Sequence, residues 1–400
     1  MKPKELHLRF IETAPQSVSI KAELTPGGKS YDIFFRSNDI TLTKNTEVLL
    51  AVGLLPAMKT ESTLVAEGTI SQKLFNAIEP ISTFFHTLNP HLKRIKIKNL
   101  VPRPANPPKE NRVGMFFSAG VDSFYTLLKH QEEITDLIFI RGFDIPLTDQ
   151  VLLKKTSEVI REIGLKFCKR VIEVETNLRS FYEHSFIKPY LRWQYGHGPA
   201  LASVGHVLFP FFWRIYIASS HTFADSYPPY LSSHPDLDPL WSTETLEFIH
   251  DGCEATRVNK AAWIAKSDLA LDSLRVCGKN TEGAYNCGVC EKCLRTMINL
   301  HCVGALERCT TFNTKIDIKR ISELKIRDFG ERAHFNENLQ ALKNRSADRA
   351  LYEALHKIWK QAWWVQIPVS YPKLYRSFQI RWIYRILRFI GKLSTKFVVR

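Results

Sequence analysis

One short segment of the chain combines hydroxyl, carboxylate and small side chains: Ser118, Ala119, Gly120, Val121, Asp122 and Ser123. An apolar run at 113–117 precedes this segment and a helical pattern from residue 124 follows it. The order predicts a strand, a tight turn and a helix, with the backbone N–H groups of the turn and of the first helical turn facing one point. We therefore expect a phosphate-binding loop and a nucleotide ligand.

The loop is shorter than the Gly-x-x-x-x-Gly-Lys pattern and lacks the Gly-x-Gly-x-x-Gly pattern. It resembles the Ser-Gly-Gly-x-Asp-Ser signature of the PP-loop ATP pyrophosphatase superfamily, in which this loop holds the pyrophosphate end of ATP during attack on the α-phosphate. The resemblance implies that Ser118, Gly120 and Ser123 offer hydroxyl and amide donors to phosphate. It also implies that Asp122 holds Mg²⁺ or shapes the loop, and we expect Asp122 and Ser123 to be catalytic.

Ala119 departs from the signature, because a glycine is usual at that position. Alanine is tolerated there if its φ is negative and is strained if its φ must be positive. The alternative interpretation of the six residues is an ordinary strand–helix turn that a Ser or Asp caps.

Four cysteines, Cys277, Cys287, Cys290 and Cys293, lie within one short stretch, the last three at three-residue spacing. Four thiolates suit tetrahedral Zn²⁺ in a structural site, and an Fe–S cluster also takes four thiolates. A disulfide pair is less favoured, because disulfides are rare in the cytosol. Cys168, Cys253, Cys302 and Cys309 fit no ligand pattern, and we expect them to be buried thiols.

The loop and the cysteines together resemble the 7-cyano-7-deazaguanine synthases of queuosine biosynthesis, a family within the same superfamily. The resemblance covers roughly residues 111 to 310, about half of the chain. It implies a ligase-type enzyme that adenylates a carboxylate, splits ATP to AMP and pyrophosphate, and transfers nitrogen. It also implies the cofactors Mg²⁺ and Zn²⁺ beside ATP, and a lysine near the phosphates, for which Lys260 is our choice and Arg257 the reserve.

Strand and helix patterns alternate after residue 111, which is typical of an open, mostly parallel α/β sheet with flanking helices. Ligands bind beyond the carboxyl ends of such strands. We therefore expect ATP contacts also from Phe143, from His197 at a helix start and from Ser219. His221 and His234 could transfer protons, and the carboxylates of residues 236–244 could hold Mg²⁺; ordinary surface, cap or loop roles are the alternatives.

Four prolines at 101–110 predict a linker between a small N-terminal α+β domain (1–100) and the PP-loop domain (111–310). A helical basic region (311–400) follows. The expected role of the N-terminal domain is to cover the active site, bind a partner or support a homodimer. No apolar run reaches transmembrane length and no signal peptide is evident, so we expect a cytoplasmic protein.

The net charge is +15, and residues 356–400 hold ten Lys/Arg without any Asp/Glu. A basic stripe recurs there at helical spacing: Arg381, Arg385, Arg388, Lys392 and Lys396. Such a helix suits an anionic membrane surface, docking on the protein's own core, or a nucleic-acid backbone. Two further functions therefore stay open beside the ligase: a PP-loop enzyme that modifies tRNA or a surface-polymer precursor, and a non-catalytic nucleotide sensor or scaffold.

Overall fold

The computed structural model describes residues 4–104, 112–183, 191–226, 231–279, 284–312 and 315–362. These residues form an α/β fold in which helices flank one ten-stranded sheet. The strands are β1 (Glu5–Ile11), β2 (Ser17–Thr25), β3 (Lys29–Arg36), β4 (Thr63–Ser71), β5 (Ile97–Arg103), β6 (Arg112–Phe116), β7 (Asp136–Arg141), β8 (Arg170–Thr176), β9 (Phe212–Ala218) and β10 (Glu247–Asp251).

The helices of the described residues are α1 (Thr46–Thr60), α2 (Gln72–Leu88), α3 (Val121–Lys129), α4 (Gln150–Lys166), α5 (Leu178–Glu183), α6 (Trp193–Val207), α7 (Phe223–Ser226), α8 (Arg257–Ile264), α9 (Asp268–Ser273), α10 (Glu291–Cys302), α11 (Ile318–Glu323), α12 (Phe329–Leu342) and α13 (Arg349–Gln361). Two short 3-10 turns, Asp238–Trp241 and Ser346–Asp348, accompany them. None of the helices in the ranges given above is both long and apolar enough to cross a bilayer.

The sheet is mostly parallel, as the alternating pattern predicts. Its strand order is β10-β9-β6-β7-β8-β3-β2-β1-β4-β5. The pairs β1–β2, β2–β3 and β3–β8 are antiparallel, and the other neighbours run parallel. From β6 the chain extends the sheet in one direction through β7 and β8, then returns to add β9 and β10 on the other side of β6.

The N-terminal strands belong to this same sheet. Phe35 of β3 pairs with Thr176 of β8, so hydrogen bonding continues from the N-terminal half into the parallel strands. Strand β5 extends to Arg103 and takes up the first residues of the expected linker. The division of the chain into separate domains stays a prediction.

Apolar side chains fill both faces of the sheet. Helix α1 is buried around nearly its whole circumference, and it packs between the sheet and α6. Such a helix needs apolar residues on every side, which its sequence supplies. The opposite face is covered by α3, α4, α8 and α9. Helices α11 to α13 form a third apolar cluster with Leu294 and Ile298 of α10.

Local signals in the sequence account for several element ends. Asp149 caps α4, since its carboxylate accepts the N–H of Leu152 at 3.1 Å. Helix α6 begins at Trp193, so the expectation that His197 opens this helix is wrong. The basic stripe from Arg381 to Lys396 lies outside the described residues.

Candidate functional site

The loop that is predicted to bind phosphate (residues 118–123, hereafter the phosphate loop) lies where the strand order reverses. It follows β6, and Ser219 follows β9, the neighbour of β6 on the side opposite β7. The connection after β6 leads to β7 on one side, and the connection after β9 leads to β10 on the other side. In open α/β sheets, connections that diverge in this way leave a crevice at the carboxyl ends of the two strands. The topology therefore brings the phosphate loop and Ser219 to the position where open α/β sheets bind ligands.

The loop leaves the start of α3 open. Gly120 is the residue before the helix, with extended backbone and no side chain to cap the first turn. Ser123 turns its hydroxyl back to the carbonyl of Gly120 at 3.1 Å. The first N–H groups of α3 have no intrahelical acceptor, and no side chain caps them. Ser118 lies beside Gly120, and a Cβ added to Gly120 would meet its hydroxyl at 3.3 Å.

Ala119 adopts a positive φ of 57°. Left-handed backbone costs a non-glycine residue about 1–2 kcal/mol, so the alanine is strained where glycine would be relaxed. The strained conformation is held by its surroundings: the side chain is fully buried, and the carbonyl oxygen accepts the N–H of Arg275 at 2.8 Å. The conformation is the one that a glycine at this position would favour.

Asp122 is the acidic centre of the site. One carboxylate oxygen accepts the guanidinium of Arg257 in a short hydrogen bond and the hydroxyl of Ser220 at 3.3 Å. The other lies 3.4 Å from Nζ of Lys260. Burial alone would raise the pKa of Asp122, but Arg257 and Lys260 lower it to about 2. The carboxylate is therefore ionised and already engaged by two cations.

Lys260 reaches the same point from α8. Its ammonium donates to the carbonyl oxygen of Ser219 at 2.5 Å, and only 1% of the side chain is exposed. Lys260 thus joins the phosphate loop to the end of β9. The resemblance predicts that Lys260, or Arg257 in its place, lies near the phosphates. In the structure both side chains contact the carboxylate of Asp122.

A third buried cation lies near the carboxylate of Asp122. Arg295 of α10 is a third buried cation, close enough to Arg257 and Asp122 to interact with both. Its own ion pair is with Glu291, at 3.3 Å. Burial lowers the pKa of Arg295, as the proximity of Arg257 also does. Like charges that are buried together are costly unless anions compensate them, and here the carboxylates of Asp122, Glu291 and Glu337 interact with Arg257.

Phe143 and His197 form a separate group at the same rim. The ring of Phe143 packs edge-on to Trp193 with centroids 4.9 Å apart, and His197 lies against both rings. Neighbouring Asp144 lies close to Lys292, Arg275, His197 and Arg179. Burial would raise the pKa of Asp144, and these cations lower it. Arg275 thereby connects this group to the phosphate loop.

Two histidines that could transfer protons are held neutral. His221 stacks on His334 with ring centroids 4.4 Å apart, and burial followed by Arg257 lowers the pKa of His221 to about 3. Burial also lowers the pKa of His234, whose ring contacts the carbonyl of Ser226 at 3.0 Å. The pKa of His221 thus lies far below neutrality, which argues against a proton-transfer role for that ring.

The carboxylates of 236–244 do not converge on a metal. Asp238 is fully buried and pairs with His250, whereas Glu244 accepts the N–H of Lys73 at 2.7 Å. Asp236 is half exposed and lies beside His234. Because each carboxylate has its own partner, an Mg²⁺ site in this segment is not formed.

The four cysteines of the predicted metal loop come together. The ligand atoms of Cys277, Cys287, Cys290 and Cys293 all lie within 4.8 Å of one another, with 3.9 Å between Sγ of Cys287 and Sγ of Cys293. In a tetrahedral site, sulfurs that each lie about 2.3 Å from the ion are separated from one another by nearly the same distance as Cys287 and Cys293 are here. Among the described residues this is the one group with metal-ligand chemistry. The cluster fits a zinc ion, and four thiolates leave no coordination position open for substrate.

The backbone around the cysteines is shaped for such a site. Gly288 has a φ of 67°, and the turn it allows brings the N–H of Cys290 to Sγ of Cys287 at 3.3 Å. Asn286 joins the two halves of the loop: its Oδ1 accepts the N–H groups of Val276 and Cys277, and its Nδ2 donates to Leu274. The sequence does not predict this role of Asn286, because nothing in its spacing from the cysteines distinguishes it.

Helix α12 also contributes residues that were not foreseen. Glu337 accepts the backbone N–H of Arg257 at 2.9 Å, and burial raises the pKa of Glu337 to about 7. Asn338 hydrogen-bonds Asn299 of α10. The C-terminal helices therefore brace the cations of the site.

Of the other cysteines, Cys253 and Cys309 are buried as expected and Cys302 is half-buried. Cys168 is exposed, which contradicts the expectation, because it lies in the turn after α4 with a φ of 55°. A turn residue with left-handed backbone sits at the surface of the α4–β8 connection.

The fold and the site define an α/β protein with a mostly parallel sheet, a loop–helix turn at its switch point and a four-cysteine cluster able to hold a metal ion. A scan of protein-family models and searches of curated proteins and of solved structures find no match to this chain.

Proposed function

We propose that this chain binds ATP at the phosphate loop and splits it to AMP and pyrophosphate while activating a carboxylate. One observation carries the proposal: the open start of α3 and the buried cations Arg257 and Lys260 converge at the switch point of the sheet. Helix N-termini and buried cations both bind phosphate oxygens, and here they serve one crevice. The Ser-x-Gly-x-Asp-Ser sequence of the loop supports the same ligand.

The residues have separate tasks in this proposal. Ser118 and the loop amides donate hydrogen bonds to the β- and γ-phosphates. The hydroxyl of Ser123 leaves the carbonyl of Gly120 to do the same when the nucleotide binds. Lys260 and Arg257 neutralise the charge that develops on the leaving pyrophosphate, which is the main electrostatic contribution to such a reaction. Asp122 fixes these two cations in position, since both of its oxygens already contact them.

Mg²⁺ would accompany the nucleotide and neutralise its phosphate oxygens. Asp122 is a poor dedicated ligand for it, because Arg257 and Lys260 compensate its charge. We therefore assign Asp122 the loop-shaping role and place no protein ligand on the magnesium ion. The cysteine cluster would hold Zn²⁺ in a structural role, with its four sulfurs all committed to the metal.

The second group on the rim is suited to the carboxylate substrate. Arg275, Lys292 and Arg179 surround Asp144, and the aromatic rings of Phe143 and Trp193 lie beside it. Cations and flat apolar surfaces together favour an aromatic acid. The resemblance to 7-cyano-7-deazaguanine synthases suggests a deazaguanine carboxylate, with ammonia as the nitrogen donor.

The test is a pyrophosphate-release assay with ATP, Mg²⁺, ammonium and a panel of aromatic carboxylic acids that includes 7-carboxy-7-deazaguanine. We expect pyrophosphate and AMP in equal amounts with at least one acid, and none when the acid is omitted. Release of phosphate and ADP instead would contradict attack at the α-phosphate. Absence of any nucleotide binding would remove the proposal.

A second function is a nucleotide sensor that binds ATP without turnover. Ala119 favours it, because its positive φ stores strain in the loop at the position where the superfamily signature has glycine. In this case ATP binds, yet no acid stimulates pyrophosphate release.

A further inference from the structure

A small cavity lies at the rim of the sheet opposite the phosphate loop. Ser71 and Arg103, which end β4 and β5, line it together with residues 243–245, which come just before β10. Strands β4 and β5 run antiparallel to β9 and β10, so the carboxyl ends of the first pair meet the amino ends of the second. Ser219 follows β9 at its carboxyl end, so this cavity is separate from the proposed nucleotide site. The cavity is partly enclosed and opens to solvent.

Glu47, in the first turn of α1, is the buried carboxylate of this cavity, with 4% of its side chain exposed. Its Oε1 accepts the backbone N–H of Ser71 and a guanidinium N–H of Arg103, both at 3.0 Å. Its Oε2 is also buried and has no hydrogen-bond partner among the described residues. Glu47 therefore offers the cavity one hydrogen-bond acceptor that the protein itself does not use.

His206, near the end of α6, supplies a second acceptor to the same cavity. The residue is 1% exposed, and its ring donates a hydrogen bond to the backbone of Trp241. Within the described part of the chain Nε2 has no partner, so Nδ1 is the nitrogen that makes this bond and carries the proton. Burial lowers the pKa of His206 to about 4, so the ring is neutral and the lone pair lies on Nε2.

Arg103 adds one donor to these two acceptors. Its Nε is buried and no side chain or backbone group of the described ranges accepts its hydrogen, whereas Nη2 is held by Glu47. Buried polar groups are costly to leave unpaired. A ligand that supplies two N–H donors and one oxygen acceptor would pair Glu47, His206 and Arg103 together. Phe209 and Pro104 add apolar surface to the lining beside these groups.

We propose that this cavity binds the head of a primary carboxamide, with the amide N–H groups on Glu47 and His206 and the carbonyl oxygen on Nε of Arg103. A carboxylate has no N–H to donate and would meet the charge of Glu47, and an ammonium has no acceptor for Arg103. Phe209 and Pro104 favour an apolar remainder on the amide. A bridging water would pair the same three polar groups, so the experiment separates these two occupants. The inference is independent of ATP chemistry.

The experiment titrates benzamide, benzoate and benzylamine separately into the full-length chain and follows binding by saturation-transfer NMR of each compound. We expect benzamide to bind saturably and Glu47→Gln to weaken it by about tenfold or more, because the new side-chain amide turns an N–H toward the amide of the ligand. Benzoate should behave alike in both chains. Glu67→Gln, at an exposed position of β4, is the matched control and should leave benzamide binding unchanged.

His206→Asn is a second variant in case Glu47→Gln fails to fold. Its side-chain amide keeps a donor near the backbone of Trp241 and removes the Nε2 acceptor, so the same loss of benzamide binding is expected. No saturable benzamide binding to the unmodified chain would leave water as the occupant and overturn the inference. Equal benzamide affinity in the unmodified chain and in both variants would do so as well. Benzylamine that binds as tightly as benzamide and is lost in Glu47→Gln would overturn the choice of an amide.

Discussion

The backbone N–H of Arg275 donates a hydrogen bond of 2.8 Å to the carbonyl oxygen of Ala119. Ala119 is the strained residue of the phosphate loop, and Arg275 precedes the metal-loop residue Cys277 by two positions. The carbonyl of Arg275 also lies 3.6 Å from the position of a Cβ on Gly120. The cysteine loop therefore packs directly behind the phosphate loop and supports its shape.

Removing the metal should weaken nucleotide binding. We expect Cys290→Ser to lose the bound metal and to lower ATP affinity by about tenfold, because an unsupported Arg275 segment frees Ala119. Metal content by mass spectrometry and ATP affinity by calorimetry check this. Cys302→Ser is the control. Cys302 is half-buried and ends α10, the helix that begins directly after Cys290. Unchanged ATP affinity in a metal-free Cys290→Ser chain would contradict the coupling.

Substitutions at Ala119 should separate backbone strain from packing. Glycine at position 119 relieves a left-handed strain of about 1–2 kcal/mol. It also removes a buried methyl group and raises the conformational entropy of the unfolded chain, and both of these effects destabilise the fold. Because the effects oppose each other, we expect Ala119→Gly to change the free energy of unfolding by less than about 1 kcal/mol. Ala119→Val adds a branched side chain in a fully buried position and should cost about 2–3 kcal/mol. Urea unfolding measures both. A tolerated valine would show that the loop conformation is not constrained.

Asp122 should stabilise the folded chain through its ion pairs with Arg257 and Lys260. Its removal in Asp122→Ala leaves Arg257 and Lys260 without their shared carboxylate, and breaking a buried pair of this kind costs about 3–5 kcal/mol. Glu353→Ala is the control, because its ion pair with Arg349 is well exposed and should be worth less than about 1 kcal/mol. Equal losses in the two variants, measured by chemical denaturation, would contradict the buried ion pair.

The stacked pair of His221 and His334 should make stability fall in mild acid. Burial, followed by neighbouring arginines, lowers the pKa of both rings, that of His221 to about 3. The folded chain therefore keeps them neutral, whereas the unfolded chain takes up protons below about pH 6.5. Each ring then lowers the free energy of unfolding by about 1.4 kcal/mol for every pH unit below that value.

This cost can be measured by urea unfolding at pH 7.5 and pH 5.0. The unmodified chain should lose about 2 kcal/mol more between these values than His334→Gln does. His91→Gln, at an exposed position, should behave like the unmodified chain. The same loss in all three chains would mean that the buried rings do not resist protonation.

The sequence predicted the parts of the site that are local in the chain. The strand–turn–helix around 118–123 and the cysteine cluster depend on neighbouring residues, and both form as expected. The meeting of Lys260 with Asp122 could be foreseen only through the resemblance, because these residues are far apart in sequence. Glu337 and Asn286 could not be foreseen, since their roles arise from packing between distant elements. The continuation of the sheet through β3 and β8 has the same origin.

Calorimetric titration of ATP into the metal-loaded chain tests the central claim most directly, with Lys260→Met and Lys266→Met as matched variants. Lys260 is buried against Asp122 and Ser219, whereas Lys266 is exposed just beyond the same helix and contacts only the ring of Trp263 among the interactions described. We expect ATP to bind at one site, Lys260→Met to weaken it by about tenfold or more, and Lys266→Met to leave it unchanged. No binding to the unmodified chain, or equal affinity in the two variants, would contradict a nucleotide site at the phosphate loop.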